Sequence, residues 1–271
     1  MKIILSRKGF DSANGGIPSP ILPDGTLLTL PIPAKDENNK YSDLTYDKKT
    51  YFEIIKELNP KTKIKETYSC HLDPDITQNP SKKNKYWSPL FGQVNAAQSH
   101  LMDQNVTIGD LFLFFGWFKQ TEIIRNKFQY IKASADLHLI FGYLQVGQIF
   151  TDIKYLPNGL KYHPHAQQRF ENATNNCIYK ANEKLSFLPT IMGASGLKFH
   201  KNLILTKPGY SRGRWNLPKI FNNEIKITYH NSESFKENYF QSANIGQEFV
   251  ISANDGITNW AKNIIMKGNR I

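Results

Sequence analysis

The apolar run at residues 111–118, Leu-Phe-Leu-Phe-Phe-Gly-Trp-Phe, restricts the fold more strongly than any other part of the chain. Successive side chains of a strand point to opposite faces, so a run without a polar side chain predicts a central strand buried on both faces. Its shortness and the preceding Asp110 exclude a membrane span. A longer run, Leu137–Phe150, contains Gly142 and Gly147, which predict bends or bulges of the kind that close a small barrel.

The other patterns predict a mixture of helices and strands. Apolar residues at helical spacing predict three helices, over residues 50–58, 92–102 and 257–265. Residues 2–5 predict a first strand, and a chain of 271 residues suits a single domain. We therefore expect an α+β protein with a bent mixed sheet or partial β-barrel, peripheral helices and long ordered loops. Residues 85–155 are the candidate barrel core, and residues 1–60 form an N-terminal elaboration.

The net charge indicates a class of partner, and the cysteine content indicates a cellular compartment. The chain carries a formal net charge of +11, from 34 Lys and Arg against 23 Asp and Glu. Such an excess attracts polyanions, of which nucleic acid is the commonest, although a merely basic surface is the alternative. Cys70 and Cys177 have no metal-like spacing and indicate a reducing compartment. Because the N-terminal apolar run is too short for a signal peptide, we expect a soluble cytoplasmic protein with no membrane partner.

The segment at residues 7–25 is the first candidate site. It contains Arg7, Lys8, Asp11, Ser12, Gly15 and Gly16. Glycines let backbone amides approach a ligand, and arginine binds phosphate or carboxylate through two hydrogen bonds. The alternative is a structural loop in which Asp11 caps a turn. The glycine spacing is neither that of a P-loop nor that of a dinucleotide-binding fingerprint.

Two histidine motifs are the second candidate. One is His-Leu-Asp-Pro-Asp at residues 71–75, and the other is His163-Pro164-His165, with Arg169 close behind. A proline between two histidines keeps the chain extended, so the side chains need not converge on one ion, and the spacing fixes no third ligand. We therefore assign no metal ligand and predict an acid–base role for His163, with His165 and Arg169 binding substrate. Structural capping is the alternative.

Two further segments carry side chains suited to bases and phosphates. Gln98 and His100 lie on the second predicted helix; amides suit base edges, yet polar helix faces are usually only solvated. Residues 207–215 combine Arg212 and Arg214 with two aromatic residues and flexible glycines. Such a segment can contact phosphates while stacking on a base, or it can be a basic surface loop.

Two blocks in the middle of the chain resemble the small β-barrels of the PUA-like superfamily. They are Gly-Asp-Leu-Phe-Leu-Phe-Phe-Gly-Trp at residues 109–117 and Phe-Gly-Tyr-Leu-Gln-Val-Gly at residues 141–147. The resemblance covers roughly residues 85–155, and a generic β-hairpin core is the alternative. Members of that superfamily bind RNA or hold an extruded modified base in a pocket.

A fuller resemblance emerges when the blocks are taken together. Residues 6–12, 15–21 and 23–25 resemble the opening of the third nucleotide modification associated domain family, and residues 109–117, 139–145 and 163–165 also fit it. The match would run through most of the chain. That family occurs in bacteria and phages and is linked to DNA base modification, so the resemblance implies this topic and assigns no catalytic role.

Three hypotheses for function follow. The first is an enzyme that modifies a DNA base, flipped out of the duplex, or a free nucleotide, in a pocket around Arg7, Asp11 and Ser12 that Asp110 or His163 completes. The second is a non-catalytic reader of modified bases, whose aromatic-lined pocket is formed by Trp117, Tyr143 or Trp87. The third is an enzyme acting on a small anionic metabolite. In each case the cofactor is unknown, and the segment at residues 7–25 is expected beside a cavity.

Overall fold

The computed structural model describes residues 1–78, 85–170 and 173–269. The strands are β1 (Lys2–Arg7), β2 (Ser19–Ile21), β3 (Thr45–Tyr46), β4 (Lys49–Thr50), β5 (Leu90–Gln93), β6 (Leu111–Ile124), β7 (Lys127–Tyr130), β8 (Leu137–Phe150), β9 (Cys177–Ala181), β10 (Lys184–Leu185), β11 (Leu188–Met192), β12 (Ala194–Gly196), β13 (Arg214–Trp215), β14 (Phe240–Gln241) and β15 (Glu248–Ser252). The α-helices are α1 (Tyr51–Leu58), α2 (Asn95–Asp103) and α3 (Asp255–Gly268). Each predicted helix is confirmed, with ends that differ from the prediction by at most three residues.

One large sheet dominates the architecture. Its strand order is β15-β1-β6-β8-β9-β5, with β2 and β7 also paired to β6 and β12 paired to β8. β1 runs parallel to β6 and antiparallel to β15, while most other pairs are antiparallel. The expectation of a mixed sheet with peripheral helices is confirmed.

The central strands are buried on both faces, as their sequences predict. Alternate residues of β1 and β6 enter two different clusters, with Leu111 and Leu113 on one face and Phe112 and Phe114 on the other. The first face is covered by α3, and Leu101 of α2 packs against the second. Burial on both faces accounts for the run of apolar side chains at successive positions.

The predicted PUA-like barrel is not confirmed, and the sheet is open in the described part of the chain. The sheet ends at β15 on one side and at β5 on the other. The predicted irregularities in β8 are present, because the pairing with β6 shifts register beside Gly142 and the pairing with β9 shifts register at Gly147. Gly142 also permits a close approach, since a Cβ there would lie 2.2 Å from Ile76 Cδ1. The sequence around residues 85–155 could not reveal that β1 and β15 extend the sheet beyond β6.

The position of β1 determines where the N-terminal loop begins. Because β1 lies between β15 and β6, its carboxyl end at Arg7 is in the middle of the sheet. The backbone continues the pairing for one more residue, since Lys8 N–H donates to Phe115 O at 2.9 Å. Residues 8–11 therefore leave the sheet at a fixed place. None of the helices in the described ranges is long and apolar enough to cross a membrane.

Candidate functional site

Two neighbouring cavities share the segment at residues 7–11 as a common wall. The small cavity, of about 130 Å³, is lined by Arg7, Lys8, Asp11, Trp117, His138, Arg212 and Ser242, among others. The large cavity, of about 870 Å³, is lined by Arg7, Lys8, Asp11, His71, Asp73, Gly92, Gln93, His165, Arg169 and Phe170, among others. The fold thus brings the two arginine-bearing segments together and the two histidine motifs together, on opposite sides of one wall.

Two arginines from distant parts of the chain face the small cavity. Arg7 donates to the carbonyl oxygens of Ala243 and Asn244 at 2.6 and 3.1 Å, and its Nε is buried without a partner in the described residues. The Arg212 guanidinium lies 4.0 Å from the centre of the Trp117 ring. Stacking on the indole orients the arginine and leaves its edge available for hydrogen bonds.

The small cavity is strongly electropositive. Burial lowers the pKa of Arg7, nearby Asp11 opposes this effect, and the positive charge of Arg212 adds to it. Burial together with these two arginines lowers the pKa of His138 to about 3, so this histidine is neutral. Ser242 is also buried, and its Oγ has no hydrogen-bond partner in the described residues. A buried hydroxyl and two cations suit an oxyanion.

Lys8 contributes less positive charge than its sequence suggests. Its Nζ lies 2.9 Å from Glu248 Oε1, and both side chains are nearly inaccessible to solvent. The same carboxylate oxygen accepts from Gln93 Nε2 at 2.7 Å and from Ser6 Oγ at 3.1 Å. The lysine is therefore compensated within the protein, and Arg7 and Arg212 carry the available positive charge of this region.

The large cavity contains a cluster of His71, Asp73 and His165. One potential ligand atom from each residue lies within 4.8 Å of the other two. His71 Nδ1 contacts Glu37 Oε1 at 2.6 Å, and Arg169 Nη1 forms an ion pair with the same oxygen at 3.0 Å. His165 stacks on Phe170, with 4.3 Å between ring centres.

The protonation states in this cluster follow from burial and neighbouring charges. Burial disfavours ionised Asp73, but contact with His163 and the nearby His165 and His71 outweigh burial and hold the pKa of the carboxyl well below its ordinary value. Burial lowers the pKa of His165 to about 3, although Asp73 opposes the change. Near neutral pH, an ionised carboxylate thus faces a neutral imidazole.

His163 and His165 have different roles, although only Pro164 separates them in sequence. His163 Nδ1 accepts from the backbone N–H of His165, at the start of the 3-10 helix Pro164–Ala166, and its Nε2 lies 3.2 Å from Asp73 Oδ1. His163 is wholly buried and does not line the cavity, whereas His165 does. The acid–base role assigned to His163 stays a prediction, because its contacts show it holding Asp73.

The loop residues predicted as catalytic have structural contacts of their own. Asp11 Oδ1 accepts from two backbone N–H groups of its loop, at 2.7 and 2.6 Å. Ser12 Oγ accepts from Arg212 at 2.5 Å. Gly15 and Gly16 have φ of +93° and +72°, so they allow the turn that Asp11 caps. Asp11 lines both cavities, while Ser12 fixes Arg212.

Several predicted residues lie away from the two cavities. Asp110 accepts from the backbone N–H groups of Lys2 and Thr107, and Tyr143 is buried in the core, where its hydroxyl donates to a carbonyl oxygen. Gln98 is buried and accepts from a tyrosine hydroxyl. His100 contacts a threonine hydroxyl, and exposed Arg214 stacks on Tyr239. The fold brings none of these five residues to the wall at residues 7–11.

Other cavity residues carried no recognisable signal in the sequence. Asp73 belongs to a motif that was weighed, yet its convergence with His165 depends on long-range folding. Gly92 was not considered, although a Cβ there would lie 2.3 Å from the His165 ring. Ser242 stands in a polar segment with no motif. The one signal in the sequence that could have indicated a role for Gly92 is its position next to polar residues of the second predicted helix.

Comparison with known proteins supplies one match. The family model described as nucleotide modification associated domain 3 matches residues 2–252 of the chain. No curated protein and no solved structure matches it. The resemblance seen in the sequence is confirmed, and the matched region includes both cavities and all of the sheet.

Proposed function

The chain belongs to the nucleotide modification associated domain 3 family, and on that premise we propose that it binds a nucleotide, or a flipped nucleotide of a nucleic acid, across the two cavities and modifies its base. The phosphate occupies the small cavity, between Arg7 and Arg212. The nucleoside extends over residues 8–11 into the large cavity. The base then lies on the side of the His71, Asp73 and His165 cluster.

The pairing of Arg7 with Arg212 is the observation that carries this proposal. Two like charges in a half-buried place repel each other, and an anion between them removes that repulsion. The volume of about 130 Å³ suits a group of a few heavy atoms such as phosphate. Two more donors are available, Ser242 Oγ and Arg7 Nε, which are buried and have no partner in the described residues. A phosphate oxygen could accept a hydrogen bond from each of them.

The large cavity supports an enzyme more than a reader. Its volume of about 870 Å³ lies in the range of pockets that enclose small molecules. A reader is expected to offer free aromatic faces, but Trp117 is covered by Arg212 and Tyr143 is in the core. The third candidate, Trp87, donates to Asp75 and lines neither cavity. An ionised Asp73 beside the neutral imidazole of His165 is a set of groups that a binding module does not need.

Binding of nucleotides to arginine variants tests the phosphate site. Calorimetric titration with deoxynucleoside 5′-monophosphates and with the corresponding nucleosides, in the presence of a chelator, separates the phosphate contribution. Arg212→Gln should weaken nucleotide binding about 10- to 100-fold, because it removes charge-assisted hydrogen bonds worth about 1.5–3 kcal/mol. Nucleoside binding should change little.

Arg214→Gln is the matched control. Arg214 follows Arg212 by two residues, and its side chain is exposed and lies outside both cavities, so the variant removes the same charge without changing the site. Equal weakening by the two variants would show only a general effect of net charge and would refute the phosphate site. If short oligonucleotides bind and mononucleotides do not, the ligand is a flipped nucleotide. Mass spectrometry of nucleosides from cells with and without the protein then separates modification from reading.

A further inference from the structure

We infer that His71, Asp73 and His165 bind a divalent first-row transition-metal ion whose remaining coordination positions face the large cavity. This inference goes beyond the proposed function and does not depend on it. The metal site is defined by side chains that are in place without a nucleotide. Three lines of geometry support it.

The spacing of the three side chains is that of ligands around one ion. Their ligand atoms lie within 4.8 Å of one another, and His71 Nε2 is 3.9 Å from Asp73 Oδ2. At metal–ligand distances of about 2.1 Å, neighbouring ligand atoms lie roughly 3.0–3.6 Å apart. A contraction of about 1 Å therefore completes the coordination. The 3.9 Å contact is too long for a hydrogen bond, so these atoms do not satisfy each other.

The tautomer of His165 leaves Nε2 free to bind a metal. Asn176 Nδ2 donates to the carbonyl oxygen of His165 at 2.8 Å, which orients the amide so that its Oδ1 faces His165 Nδ1 at 3.0 Å. An amide oxygen can only accept, so His165 Nδ1 carries the proton and Nε2 carries the lone pair.

His71 is held in the same way by a carboxylate. Its Nδ1 lies 2.6 Å from Glu37 Oε1, so Nδ1–H donates to the carboxylate and Nε2 is the ring nitrogen left to bind a metal. Metal-binding histidines characteristically donate their second N–H to a carboxylate or carbonyl oxygen, which fixes the ring and raises its basicity. Both histidines here have such a partner. His163 has the opposite tautomer, because its Nδ1 accepts, and it therefore supports Asp73 instead of joining the ligands.

Gly92 positions two of the three ligands at once. Its backbone N–H donates to Asp73 Oδ1 at 2.7 Å, leaving Oδ2 directed towards His71. A Cβ at this residue would lie 2.3 Å from the His165 ring, so only glycine permits the ring to pack against β5. The strand thus orients the carboxylate through its backbone and the imidazole through the absence of a side chain.

The donor set and its surroundings determine the class of ion. Two imidazoles and one carboxylate suit Fe²⁺, Co²⁺ or Zn²⁺ better than Mg²⁺ or Ca²⁺, which prefer oxygen ligands. Three protein ligands beside a cavity leave positions for water or substrate, as in catalytic sites, whereas structural zinc sites are closed by four.

Titration of the untagged, chelator-treated protein with Co²⁺ and with Zn²⁺ tests the site. The wild-type chain should bind one ion, seen by calorimetry and by the visible absorption of Co²⁺, without any nucleotide present. His165→Gln and Asp73→Asn should weaken binding at least a hundred-fold. Asn176→Leu keeps all three ligands and should weaken binding about 10- to 100-fold, because it removes the partner of Nδ1.

His200→Gln is the matched control, since His200 caps the 3-10 helix Lys201–Leu203 and lines neither cavity. It should bind Co²⁺ as the wild type does. Unfolding curves in chelator check that each variant is folded, and Asn176→Leu replaces any ligand variant that is not. Failure of the wild type to bind one equivalent, or equal binding by His165→Gln and His200→Gln, would overturn the inference. Neither result bears on the proposed nucleotide site, because nucleotide binding is measured in the presence of a chelator.

Discussion

At the scale of single residues, His138 links the core to the small cavity. Trp215 Nε1 donates to His138 Nδ1 at 3.2 Å. Burial, Arg7 and Arg212 lower its pKa to about 3, against about 6.5 in an unfolded chain. Between these pH values the unfolded chain binds a proton that the folded chain does not, so acidification destabilises the fold.

We expect protonation of His138 in the unfolded chain to lower the free energy of unfolding by about 2 kcal/mol at pH 5 relative to pH 7. The figure follows from about 1.36 kcal/mol for each pH unit below 6.5. Denaturant unfolding of the wild type and of His138→Asn at both pH values measures this contribution. The asparagine Oδ1 can still accept from Trp215, so the variant is expected to fold. Equal losses of stability in the two proteins would contradict the prediction.

The role of a residue could be predicted from the sequence where its neighbours along the chain determine that role. It could not be predicted where contacts between distant parts of the chain determine it. Asp11 was weighed as the cap of its turn, and its contacts are those of a cap. The different roles of His163 and His165 follow from the 3-10 turn at Pro164, which directs one ring into the protein and the other into the cavity. Asp73 meets His165 only because β5 lies between them. No spacing within a motif contains that information.

At the scale of elements, α1 begins with a reciprocal cap. Thr50 Oγ1 accepts from Glu53 N–H at 3.1 Å, and Glu53 Oε2 accepts from Thr50 N–H at 2.7 Å. The helix buries Ile54, Ile55 and Leu58. Because α1 has only eight residues, its cap satisfies a large share of its free backbone groups.

Thr50→Ala should lower the free energy of unfolding by about 1 kcal/mol, the usual cost of losing an N-cap. Thermal or denaturant unfolding measures this change. Thr50→Ser retains the hydroxyl and should stay within a few tenths of a kcal/mol of the wild type. Since α1 borders neither cavity, ligand titrations with Thr50→Ala should match those of the wild type; a loss of metal or nucleotide binding would contradict this separation.

The strands were predicted from their composition, while the shape of the sheet was not. Residues 111–118 fall in β6, which is buried on both faces as expected. The barrel was not confirmed, because closure depends on which strands pair across the chain, and β1 pairs with β15. Gly142 and Gly147 do mark register shifts in β8, but such shifts do not by themselves close a sheet.

At the scale of the whole molecule, the two ends of the chain complete one core. β1 pairs with β15 along its length, and α3 follows directly. Ile257, Ala261, Ile264 and Ile265 of α3 are almost fully buried in the cluster on one face of the sheet. Burying the three isoleucines contributes roughly 5–9 kcal/mol, which is comparable with the whole stability of a typical domain.

A chain that ends at Asn254 should therefore lose cooperative unfolding and bind hydrophobic dyes, as expanded states do. Near-ultraviolet circular dichroism and dye fluorescence measure both properties. Lys267→Ala in the full chain, an exposed change on α3, should preserve the native signal. A sharp unfolding transition in the shortened chain would show that the sheet is stable without the helix.

The wall at residues 7–11 also has a consequence for selectivity. Arg7 and Lys8 are hydrogen bonded to strands on either side, through Gln247 O and Phe115 O. The separation between Arg7 and Gly92, the glycine of β5 that orients Asp73 and His165, is therefore set by the sheet. A molecule with one phosphate too many or too few would lose contact at one end. Discrimination would then rest on molecular length as well as on the identity of the heterocycle.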